Sequence, residues 1–190
     1  MDAAAQYALA YALTTSAGVR ALMPLAALSI AAHAGWIHVP GGFAWLAGAG
    51  VMWILIAVAA AEMFADKIPL LDHVLHFVQI AGKPAAAAIL VGGAIHTQSH
   101  EQLVVLMILG ALNALGIHGA IASARAASTV TTGGLANPVL STVEDTGSIV
   151  GLVIAFVMPV LAAILAVVFA VMLIWLARRT LRSQQNLIRR

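Results

Sequence analysis

Glu62-Met63-Phe64-Ala65-Asp66-Lys67-Ile68-Pro69-Leu70-Leu71-Asp72 is the stretch that decides the class of this chain. It places three carboxylates directly after 41 residues, 21–61, that contain no Asp, Glu, Lys or Arg. The pattern recurs downstream, where Glu144 and Asp145 stand just before 32 uncharged residues, 146–177. Crossing a bilayer takes about 20 apolar residues in a helix, and both stretches exceed that. An ionised carboxylate in hydrocarbon costs several kcal/mol, so acids at such places face a bundle interior, a partner charge or a water-filled cavity. Glu62, Asp66, Asp72, Glu144 and Asp145 therefore mark the expected working part of the chain.

Composition agrees. Apolar residues make up 63% of the chain and charged ones 8%, against roughly 25% charged in soluble domains. Mean hydropathy is +1.03. The expected fold is an all-α polytopic membrane protein with about four to six crossings. The start, Met1-Asp2-Ala3-Ala4-Ala5-Gln6, lacks the basic segment of a signal peptide. With no cysteine, disulfides and thiolate metal sites are excluded. Five of the nine basic residues, Arg178, Arg179, Arg182, Arg189 and Arg190, lie in the last thirteen positions. By the positive-inside rule that tail, 178–190, is expected to be cytoplasmic, on a single membrane domain of residues 1–177.

Helical punctuation divides the domain. A first span over 8–33 is interrupted at Gly18, Arg20 and Pro24, and a second, uninterrupted one covers 43–64. Residues 70–80 have apolar positions three and four apart, the spacing of an amphipathic helix. After Gly82-Lys83-Pro84 only a half-helix, 85–95, is expected. A span over 103–122 leads to a Gly/Ser/Thr-rich stretch, 123–141. The last span, 147–177, has Pro159 as a candidate kink. Pro69-Leu70-Leu71-x2-Val74 and Pro138-Val139-Leu140-x2-Val143 align at an offset of 69, so the two Pro-containing segments read as broken or re-entrant. They suggest repeat halves at 8–95 and 103–177, as in transporter folds.

Gly18-x-Arg20, the run Glu62-x3-Asp66-Lys67-Ile68-Pro69-x2-Asp72-x6-Gln79, Lys83-Pro84, and Asn137-Pro138-x2-Ser141-x2-Glu144-Asp145 together resemble a bacterial membrane family known as domain of unknown function 4126. His118 and Ser123 stand where the resemblance leads one to expect basic residues. The resemblance implies a compact helical membrane fold and no particular activity.

The residues themselves suggest chemistry. Glu62 and Asp66 share a helix face, as do Asp72, His76 and Gln79. Neighbouring carboxylates in a bilayer hold a proton more readily, because desolvation and like charge both disfavour ionisation. The leading expectation is a small transporter or channel-like protein that moves a solute or ion with proton linkage. Glu62, Asp66, Asp72, His76, Gln79, Asn137, Ser141, Glu144 and Asp145 would form the site, and Arg20, Lys67, Lys83 and Arg125 the counter-charges. The competing reading is that these same bases neutralise the acids in structural ion pairs. Asp72-x3-His76 is a weak metal candidate, and His96-x3-His100 lies in a polar turn; no His-Glu-x2-His occurs. No Gly-x-Ser-x-Gly occurs either. Catalytic residues and cofactors are not expected, so the chain leans away from enzymes. Two alternatives stay open. One is a membrane enzyme that uses Arg20 and Arg125 on a lipid-linked or phosphorylated substrate; the other is a non-catalytic scaffold. The expected partners are the lipid bilayer, a small solute or ion and a homo-oligomeric copy, with no nucleic acid.

Overall fold

A computed structural model describes residues 1–65 and 69–188, without the side chains of 69–77, 177 and 180–188. Seven α-helices follow in order: α1 Ala3–Val19, α2 Leu22–His33, α3 Ala49–Ala65, α4 Pro69–Ala94, α5 His100–Thr132, α6 Asn137–Val157 and α7 Pro159–Ile188, with a 3-10 helix, Gly41–Ala47, between α2 and α3. No strand occurs among the described residues. Three helices, α5, α6 and the Pro159–Leu176 part of α7, are long and apolar enough to cross a membrane. The 3-10 helix with α3 supplies a fourth, bent by 67°. The chain is an all-α, multi-span membrane protein.

Helix α1 is the centre. Leu9, Leu13 and Ala17 have no exposed surface, and α1 packs against α4, α5, α6 and α7. Small residues permit this crowding: a Cβ on Gly18 would stand 2.5 Å from the Ile117 Cβ and 2.7 Å from the Ala114 carbonyl oxygen, and one on Gly110 would stand 2.7 Å from Val91 Cγ2. Without a hydrophobic force between helices in lipid, such close backbone approach is what holds the bundle together. The outer face of α7 is apolar and exposed at Val160, Ile164, Val168 and Val171, as a lipid-facing surface should be.

The break at Arg20 falls where the sequence puts it, and Pro69 and Pro138 each stand at the start of a helix. Four boundaries differ. The second span bends at Gly48 instead of running straight. Helix α4 continues through Pro84, since a proline costs one backbone bond that packing against α1 and α5 outweighs. Helix α5 extends to Thr132, and its hydroxyls are satisfied within the helix: Ser123 donates to the Gly119 carbonyl, Thr129 to Arg125, Thr131 to Ala127 and Thr132 to Ser128. It ends at Gly133, whose φ of +63° suits a glycine cap. The final span is two helices, parted at Met158 just before Pro159.

Candidate functional site

The site is assembled where α1 stops. Arg20 leaves the helix in an extended conformation, φ −132° and ψ 115°. Its side chain, 1% exposed, points into the bundle and meets α6. There its guanidinium donates to the Ser141 hydroxyl at 3.0 Å, lies 2.7 Å from Asp145 Oδ1 and 4.0 Å from Glu144 Oε2. Ser141 and Asp145 are four apart on α6, so one arginine spans one face. From α5, Arg125 donates to both oxygens of Glu144, the two-pronged fit that a planar guanidinium allows. Glu144 is thus shared between two arginines from two helices.

Glu62, near the end of α3, is 5% exposed and accepts from the backbone amides of Ala21 and Leu22 at 3.2 and 3.0 Å. Those amides open α2, whose N-terminus carries partial positive charge and unpaired donors. Gln79 of α4 donates to the same carboxylate at 3.3 Å. Lys83, 3% exposed, lies 2.9 Å from His118 Nδ1 on α5. Lys83 is close enough to interact electrostatically with Glu62, Glu144, Arg20 and Arg125, so these groups form one cluster rather than scattered pairs. Among the described residues, Arg20, Lys83 and Arg125 stand against the three carboxylates Glu62, Glu144 and Asp145 within it.

The structure therefore joins Arg20, Glu62, Gln79, Lys83, Arg125, Ser141, Glu144 and Asp145. Asn137 stays apart: it donates to Thr129 at the turn between α5 and α6. Asp66 and Lys67 lie outside the described residues, as do the side chains of Asp72 and His76 on α4. Among the described residues no three His, Asp or Glu side chains come together to hold a metal ion, and His96 stacks instead on His38, 6.0 Å between ring centroids. Sequence reasoning missed His118 as the Lys83 partner and the capping role of Glu62. The signal for the second was present in the arginine followed at once by a new apolar helix.

Next to the cluster lies a cavity of about 360 Å³ between α1, α6 and α7. Thr15, Ser16, Glu144 and Ser148 provide its polar wall; Val19, Val143, Ile154, Leu165 and Phe169 are among its apolar lining. The carboxylate shared by the two arginines is thus also part of the cavity wall. No curated protein and no solved structure matches the chain. A match over residues 7–179, nearly the whole length, shows that the chain belongs to the family described as domain of unknown function (DUF4126).

Proposed function

We propose that the protein moves a small solute or ion across the membrane, linked to proton movement at Glu144. The observation that carries this reading is the placement of Glu144, which lines the cavity while bonded to Arg125 and facing Arg20. Protonation of Glu144 would remove the charge that ties α5 to α6 through Arg125. Arg20 would keep Asp145 and Ser141 on α6. A proton would thus loosen one contact of α6 and leave the other, which biases a two-state packing of α6 between α1 and α5. The basic run after residue 177 supports a cytoplasmic C-terminus, and the apolar spans an inner-membrane location. An enzyme acting on an anionic lipid headgroup receives less support, because both arginines it would use are engaged by carboxylates.

The test is proton flux into liposomes that contain the purified protein and a trapped pH-sensitive dye, driven by a potassium diffusion potential, with and without candidate solutes. The wild type should acidify the lumen and Glu144→Gln should not. Equal flux in the two proteins, or none in the wild type with any solute, overturns the reading.

A further inference from the structure

The cavity between α1, α6 and α7 has polar groups that the ion-pair network does not use. Ser148 is 6% exposed, and its hydroxyl has no hydrogen-bond partner among the described residues; the hydroxyl of Ser16 across the cavity is likewise buried and unpartnered. A buried hydroxyl left without a partner costs about 1–3 kcal/mol, so two on one cavity wall favour a ligand that brings a hydrogen-bonding group. The space itself comes from what α6 lacks. Gly147 and Gly151 line the cavity one turn apart, and a Cβ on either would meet nothing within 4 Å.

The rest of the wall is apolar, as in small-molecule sites of about 300–1,000 Å³, where a few polar groups fix orientation. Val150 of α6 and Leu165 of α7, which both line the cavity, are exposed, as lipid-facing apolar residues of a membrane bundle are. A ligand can therefore arrive from the bilayer. Charge narrows its head group: no Lys, Arg or His lines the cavity among the described residues, so an anionic head buried there would lack a partner.

We propose that this cavity binds an uncharged, single-chain amphiphile from the bilayer, with its hydrocarbon chain against Gly147 and Gly151 and its hydroxyl head bonded to Ser148 and Ser16. Binding requires neither transport nor a proton on Glu144, so it stands or falls separately from the proton-linked reading.

The probe is 1-monododecanoyl glycerol, added to the protein in phosphatidylcholine nanodiscs and counted by native mass spectrometry across a concentration series. One molecule per chain is expected. Gly151→Leu, which fills the cavity without touching an arginine or carboxylate, should weaken binding at least tenfold. Ser148→Ala should weaken it about fivefold to tenfold, the worth of one hydrogen bond. This second variant keeps the test readable if the leucine disturbs folding, which circular dichroism monitors. Dodecanoate should bind more weakly than the neutral glyceride. Unchanged affinity in Ser148→Ala, or dodecanoate binding as tightly as the glyceride, overturns the proposal. So does unchanged ligand binding in folded Gly151→Leu.

Discussion

Glu62, buried, and Glu144, half-buried, are both carboxylates packed among helices, yet their surroundings assign them different work. Glu62 accepts from two backbone amides and a side-chain amide, neutral partners of which the two backbone ones are fixed by the fold. Glu144 is held by two arginine side chains and borders a cavity. A carboxylate satisfied by backbone locks two elements together; one satisfied by side-chain cations beside a void can exchange them. The difference teaches that burial of an acid in a membrane bundle says little until its partners are known.

The largest effect should come from the arginine between them. Arg20→Ala leaves Asp145 buried without its main cation, at a cost of about 3–5 kcal/mol for a broken buried pair. Its thermal unfolding in detergent should fall furthest of all variants; a midpoint close to wild type would mean that water already reaches Asp145. Glu62→Ala strands the amides that open α2 and should cost about 2–4 kcal/mol, with the remaining folded protein still active. Loss of proton flux in well-folded Glu62→Ala would erase the distinction between the two acids.

Glu144→Gln should behave the opposite way. Arg125 is partly exposed at 22%, so the stability loss should be about 1–2 kcal/mol, while proton flux disappears. Gly18→Ala probes the frame that both acids share. Overpacking against Ile117 and Ala114 should cost about 1–3 kcal/mol and leave the pH dependence of any flux in place. The smallest effect is expected for Asn113→Ala, which removes the donor to Thr14 and Thr15 at 3.0 Å. About 0.5–1.5 kcal/mol is at stake, and a difference scan against wild type would resolve it.

Much of the site was legible because charge is rare here. In a chain with 8% charged residues, Arg20, Arg125, Glu144 and Asp145 had few places to go except one another, and their convergence follows from desolvation alone. The break at Arg20 was legible for the same reason. What escaped the sequence were effects of tertiary packing on local rules. Pro84 looked like a helix end, but the helix around it is clamped on α1 and α5. The Gly/Ser/Thr-rich stretch after Ala122 read as lying beyond the span, but its first hydroxyls bond to their own helix. The partnership of Glu62 with α2 lay beyond periodicity, because it joins residues 40 and 41 positions apart through backbone donors that no side-chain pattern reveals.

The length of α5 has a consequence for sidedness. Its 33 residues rise about 50 Å, against about 30 Å of hydrocarbon. At its start, Gln102 bonds to Tyr7, and Gln6 of α1 accepts from the His96 amide, so this polar end marks one bilayer border. Measured from there, Arg125 stands about 38 Å along the helix, near the opposite headgroups. The shared carboxylate would then meet one aqueous compartment directly, and a proton moved across the bilayer would have to travel the length of the bundle to reach the other.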